Sequence, residues 1–213
     1  MRDAIWHWPD FPELPPPGRL VLICVRTSGR RAEARKEVRA VLRRLLAKWT
    51  GLRLDEVPLQ ETPSVPVWQS DLRHPLPLRG GEGMGEGWGE GEGDGLLNPE
   101  SLDFSLSYTE DEAWIAVRRG GVIGIDIMRL EPVPEAEAIT QTYFGPADLS
   151  ALHESTDPVR DFALAWTQLE ARCKCLKQGL TEWSESLTLD TKACTTESLI
   201  IQDKLALSVA TVP

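Results

Sequence analysis

The hydrophobic pattern divides the chain into short elements of two kinds. Leu20-Val21-Leu22-Ile23-Cys24-Val25 is an unbroken apolar run of strand length and predicts a buried strand. Over residues 31–49 the apolar positions Val38, Val41, Leu42, Leu45, Leu46 and Trp49 recur at helical spacing, with arginines on the other face, and Gly51 stops the helix. A strand is predicted at Leu102–Tyr108. Trp114–Val117 and Val122–Ile127 follow, separated by Gly120-Gly121, and read together as a β-hairpin. Residues 135–144 and 146–154 predict two short helices, with Pro146 suited to a first turn. A longer helix is predicted over 158–177 from Phe162, Leu164, Ala165, Leu169, Cys173 and Leu176, with Gly179 beyond its end. Strands are predicted again at Ser186–Leu189, Ser198–Gln202 and Leu205–Ala210.

The order is strand, helix, strands, then strand, helix, strands. It predicts an α+β protein of two similar halves, residues 1–113 and 114–213, although no internal sequence repeat is visible. Two stretches depart from the pattern. Residues 9–18 hold five prolines and form a rigid lead-in. Residues 69–99 hold nine of the 17 glycines, and five acids punctuate the stretch RGGEGMGEGWGEGEGDG. A calcium loop needs fixed oxygen spacing, which a plain Gly-Glu alternation lacks, so this reads as a flexible, solvated acidic insertion.

Composition narrows the function. The net charge is −10 over 213 residues, and a phosphate-backbone binder would carry a basic footprint instead, so no nucleic-acid partner is expected. No apolar run approaches the roughly 20 residues that span a bilayer, and the N-terminus lacks a secretory apolar core; no membrane partner and a cytoplasmic location are expected. Cys24, Cys173, Cys175 and Cys194 do not form the two spaced pairs of a structural zinc site and read as small buried hydrophobes in a reducing setting.

The candidate chemistry lies in two acids. Asp126 interrupts the apolar run of GVIGIDIM, and Glu170 sits in the long helix beside Trp166. A hard cation such as Mg2+ takes one or two carboxylates plus phosphate and water oxygens, and an acid on a strand facing an acid on a helix could supply them. Taken alone, an acid at a strand end is more often a turn or a cap, and an acid on a helix is more often solvated.

Their setting adds a resemblance. Phe104-Ser105-Leu106-Ser107-Tyr108-Thr109, then Gly124-Ile125-Asp126-Ile127-Met128, then Tyr143-Phe144-Gly145-Pro146-Ala147-Asp148, then the helix from Trp166 through Glu170 and Lys174 to Leu180, resemble in order the motifs of the 4′-phosphopantetheinyl transferase superfamily. The resemblance is to its larger, monomeric, surfactin-type branch. Leu42–Ala47 is similar to that branch's N-terminal helix and Leu205–Ala210 to its last strand, so the likeness covers roughly residues 35–67 and 100–210.

The resemblance implies two α+β halves in a pseudo-twofold arrangement. It implies an Mg2+-dependent holo-carrier-protein synthase, which transfers the phosphopantetheine arm of coenzyme A to a serine of an acyl or peptidyl carrier protein. It implies Asp126 and Glu170 as metal ligands, Glu170 and Lys174 as catalytic residues, and Ser107, Tyr108, Arg35 and Lys174 as coenzyme A contacts. For Lys174 the alternative is a solvated helix lysine. Four positions depart from the pattern: Met128 replaces a second strand acid, Tyr108 a histidine, Leu169 a lysine and Lys177 a glycine. A Gly-Lys-Pro segment finds its nearest counterpart in Glu61-Thr62-Pro63, without the lysine. These departures leave open a second reading, a catalytically impaired member that binds a carrier protein as an adaptor. Two halves in one chain imply a monomer.

Overall fold

In a computed structural model, the structure describes residues 5–57, 59–60, 67–68, 102–184 and 194–212. The acidic insertion at 69–99, Glu61-Thr62-Pro63 and the strand expected at Ser186–Leu189 lie outside these residues. The elements, in order, are β1 (Ile5–His7), β2 (Leu20–Arg26), α1 (Arg31–Thr50), β3 (Leu59–Gln60), β4 (Val67–Trp68), β5 (Leu102–Tyr108), β6 (Glu112–Arg119), β7 (Val122–Arg129), α2 (Ala136–Tyr143), α3 (Pro146–Glu154), α4 (Pro158–Cys175), β8 (Thr195–Ile201) and β9 (Leu205–Val212). The fold is α+β. Among the described residues, no helix is long and apolar enough to cross a membrane.

Two sheets carry the architecture. The first has the order β1-β2-β6-β5, the second β7-β9-β8, and β3 and β4 form a separate two-stranded pair. Val38, Val41, Leu42, Leu45 and Leu46 of α1 pack on Val21 and Ile23 of β2, Phe104 and Leu106 of β5, and Ile115 and Val117 of β6. Fully burying each such side chain contributes roughly 1.5–3 kcal/mol. The opposite face of the first sheet, through Leu22, Cys24, Trp114 and Ala116, packs on Ile123, Ile125, Ile127, Leu207 and Val209 of the second. Helix α4 covers the far face of the second sheet. Its N-terminus is set by Asp157, whose carboxylate accepts from the Arg160 N–H at 3.2 Å, and by Pro158 in the first turn.

The expected β6–β7 hairpin does not form. Both edges of β6 are occupied, by β2 along Leu20–Arg26 and by β5 along Leu102–Tyr108. Gly120 and Gly121, both at positive φ (68° and 141°), instead pass the chain from one sheet to the other. The division expected near residue 113 therefore falls inside β6, which is hydrogen-bonded into the first sheet. Strand β1 was not legible in the pattern; three residues pair in parallel with β2 at the sheet edge.

Among the described residues, β7 pairs with another strand, β9, on one edge only. On its other edge, the backbone N–H groups of Ile123, Ile125 and Ile127 donate to side chains of β5: Asp103 Oδ2 at 2.9 Å, Ser105 Oγ at 3.1 Å and Ser107 Oγ at 3.2 Å. Alternation explains how one strand does this. Phe104 and Leu106 point into the α1 core, and Asp103, Ser105 and Ser107 point the other way.

On the face of β7 opposite the inter-sheet core lies Gly124. A Cβ there would meet Ala171 O at 2.0 Å and Cys175 N at 2.5 Å, so α4 rests directly on the strand backbone. Gly124→Ala is expected to lower stability by about 3 kcal/mol or more, because the obstructing atoms are helix backbone. A thermal melt of the variant against the parent chain checks this.

Candidate functional site

α4 meets the second sheet with three rows of side chains. Thr167 and Ala171 lie over β9, where Thr167 Oγ1 is 2.8 Å from Ser208 Oγ. Gln168 and Arg172 reach β8, donating to Ser198 Oγ (3.1 Å) and Thr196 Oγ1 (2.9 Å). Glu170 and Lys174, one turn apart, form the third row and face Asp126 on β7. This i, i+4 spacing places an acid and a base together on one helix face.

Asp126 is 5 % exposed. Its Oδ1 accepts from Ser107 Oγ at 2.8 Å and from Lys174 Nζ at 2.6 Å. The same ammonium lies 3.4 Å from Glu170 Oε2. Two carboxylates from different elements thus converge on one cationic point, and Asp126 Oδ2 accepts no hydrogen bond among the described residues. Burial pushes the Asp126 carboxyl above its ordinary value; the Lys174 charge works against that shift and Glu170 adds to it. Ser107 both accepts from the Ile127 N–H and donates to Asp126, so it fixes the carboxylate relative to the strand that carries it.

Four of the expected site residues, Ser107, Asp126, Glu170 and Lys174, are therefore in one cluster. Tyr108 and Arg35 are elsewhere. Tyr108 follows Ser107 on β5 and so faces the other way, packed against the α1 core. Burial raises its phenol pKa, and the nearby Arg39 and Arg35 guanidiniums oppose this. With Gly29, Arg31, Ala34, Thr109 and Glu110 it lines a cleft of about 340 Å³ at the start of α1. Met128 shares a β7 face with Asp126 and is half-buried. Leu169 is 8 % exposed, a core position on α4. Among the described residues, no three His, Cys, Asp or Glu side chains cluster as a ligand set.

Aromatic rings support the helix one turn before Glu170. Trp166 stacks on Phe162 (6.3 Å between centroids) and meets Tyr143 and Phe144 edge-on at 5.6 and 6.4 Å. The Trp183 ring lies over Gly145, where a Cβ would approach it to 2.6 Å, and the Trp183 backbone N–H donates to Thr142 O at 2.8 Å. Sequence reasoning missed Asp103, Ser105 and Lys177. Lys177 Nζ lies 3.0 Å from both oxygens of Asp103. The polar alternation Asp103-x-Ser105-x-Ser107 was the available signal.

Residues 122–208, from the start of β7 into β9, match the family model described as the 4′-phosphopantetheinyl transferase superfamily. This segment is similar to that superfamily, and it contains Asp126, Glu170 and Lys174. No curated protein matches the chain.

The raised Asp126 pKa has a thermodynamic sign. The folded state holds this proton more tightly than the unfolded chain, so the associated stability is fully present below the unfolded carboxyl value, near 3.8, and is lost as pH rises through the folded value. Asp126→Asn removes that loss. The melting temperature of the Asn variant relative to the parent is expected to climb as pH rises from about 4, measured by thermal denaturation in chelator.

Proposed function

We propose that the chain transfers the 4′-phosphopantetheine arm of coenzyme A to a serine hydroxyl of an acyl or peptidyl carrier protein. The observation that carries this reading is the convergence of Asp126 and Glu170 on the Lys174 ammonium. A site built to hold positive charge between two carboxylates suits a pyrophosphate substrate with its counter-ion.

Asp126 and Glu170 would hold Mg2+, and the fit rests on their hard oxygen donors and on the Asp126 Oδ2 that accepts no hydrogen bond among the described residues. When bound, the ion neutralises pyrophosphate charge and orients in-line attack. The remaining roles fall to the chain. Ser107 holds Asp126 in its rotamer. Lys174, an ammonium donor in both of its contacts, turns to a phosphate oxygen, which favours the phosphate-contact role over that of proton acceptor. The carrier serine oxygen forms a bond to the β-phosphorus, the pyrophosphate P–O bond breaks, and 3′,5′-adenosine bisphosphate leaves. The serine proton passes to Glu170, the more exposed of the two carboxylates. Tyr108 and Arg35, with Arg39 near them, form a separate wall where the more distant part of coenzyme A is held.

We also read the chain as two related halves in a pseudo-twofold arrangement, divided at Gly120-Gly121. The support is topological. In the first half, β2, α1, β5 and β6 give the strand order first-third-second; in the second, β7, α4, β8 and β9 give the same order. All four central pairings are antiparallel. A chain that supplies both halves has a place for each site wall and acts as a monomer in the cytoplasm. The second reading, a carrier-binding adaptor, is favoured by the thioether of Met128 beside Asp126, since sulfur is a poor ligand for a hard cation.

Intact-mass analysis of an apo carrier protein, after incubation with coenzyme A and Mg2+, should show the phosphopantetheine gain. A charge pair at ~4 Å is worth about 4 kcal/mol at an effective dielectric near 20, and losing half of that slows a reaction roughly thirtyfold. Glu170→Gln is therefore expected to slow transfer about thirtyfold or more, while Met128→Glu tightens Mg2+ binding in calorimetry. Coenzyme A binding with no mass gain on any carrier would leave the adaptor reading.

A further inference from the structure

The row that joins α4 to β8 does not end with its two hydrogen bonds. Gln168 meets Ser198 and Arg172 meets Thr196. The next positions on the same faces are Cys175 on the helix and Cys194 just before the strand. From 168 to 175 the helix advances about 10 Å, and from 198 to 194 the strand retreats about 13 Å, so the two faces stay in step. The side chains do meet. Cys194 packs against the small cluster of Ala171, Cys175 and Ala210, and it shares a side-chain hydrogen bond with Cys175. Both are free thiols. Cys175 is 1 % exposed and Cys194 is half-buried, so an incoming reagent reaches Cys194 first.

We propose that Cys175 and Cys194 form a redox-active thiol pair that closes to an intramolecular disulfide by exchange with a low-molecular-weight disulfide. Neither the transferase reading nor the superfamily match is needed for it. The Cys194 sulfur attacks the small disulfide: a bond forms to one of its sulfurs, its S–S bond breaks, and one small thiol leaves. The Cys175 sulfur then attacks the Cys194 sulfur, expelling the second small thiol and forming the Cys175–Cys194 bond. The two cysteines lose two electrons to the oxidant, and their two protons depart with the released thiols. The cross-link ties the last turn of α4 to the start of β8, one residue beyond Lys174.

The chemistry gives the pair a kinetic signature. Burial, then the neighbouring Cys194, pushes the Cys175 thiol up to about 12. The thiolate is the attacking species, so well below that value the closing step should accelerate about tenfold per pH unit.

The test uses the full chain and oxidised glutathione, with free thiols alkylated before digestion. Trypsin cuts after Lys174, which separates Cys173 from Cys175. The expected product is a protein lighter by two hydrogens, with Cys175-Leu176-Lys177 joined to the Cys194 peptide. Cys175→Ser should instead retain one glutathione on Cys194. The proposal is overturned if the parent chain stays reduced, if glutathione persists on its Cys194 at high pH, or if the bond runs through Cys173 or Cys24.

Discussion

The structure depends on three backbone N–H groups that find no partner strand. Along its outer edge β7 would leave the amides of Ile123, Ile125 and Ile127 buried and unsatisfied, each at a cost of about 1–3 kcal/mol. Asp103, Ser105 and Ser107 accept them instead. A side-chain ladder thus replaces a backbone ladder, and it joins two sheets that share no hydrogen-bonded strand pair among the described residues. The substitution has a geometric consequence. Side chains hold β7 against β5 at three fixed points two residues apart, so Asp126 on the next position of β7 has its location set by β5.

Helix α4 uses that fixed strand as a floor. Gly124 removes the one Cβ that would lift the helix, and the close approach puts Glu170 and Lys174 within bonding reach of Asp126. Each element of the site is also held by contacts beyond the Asp126–Glu170–Lys174 cluster. The polar ladder holds β7, the Trp166 ring cluster holds the middle of α4, and contacts to β8 and β9 hold its flank. Burying a carboxylate in such a place works against the fold, as the raised Asp126 pKa records. A chain keeps that penalty where charge has a task.

Most elements were legible in the sequence because apolar period and glycine or proline punctuation agree there. α3 was placed at its observed bounds by Pro146, and α1 and α4 to within two residues. The cluster of Asp126, Glu170, Lys174 and Ser107 was legible through the order of its motifs. Gly120-Gly121 was misread because a glycine pair between apolar runs encodes a reversal without saying which sheet the chain enters next; only the full occupancy of both β6 edges decides that. Asp103 and Ser105 were passed over for a different reason. A Ser or Asp on a strand reads as solvent-facing, and nothing local tells that its partner is a backbone twenty residues away. Cys24, Cys173 and Cys175 fit the description of small buried hydrophobes, Cys194 is only half-buried, and sequence alone could not show that two of the four share one face.

Lys177 ties these threads together. It stands at φ 55°, in the left-handed conformation that closes α4, where the Gln178 N–H donates to Cys173 O at 2.9 Å. A glycine would adopt this conformation freely, while a side chain there costs roughly 1 kcal/mol. The lysine offsets that by reaching Asp103, which already accepts from the Ile123 amide. At the other end of the ladder Asp126, which accepts from Ser107, also accepts from Lys174 in the same manner. Strand β5, strand β7 and the end of α4 are therefore pinned twice, each time by an acid meeting a lysine of one helix turn. The lysine at 177 makes the second pin, so the side chain there has a structural role in joining the end of α4 to β5.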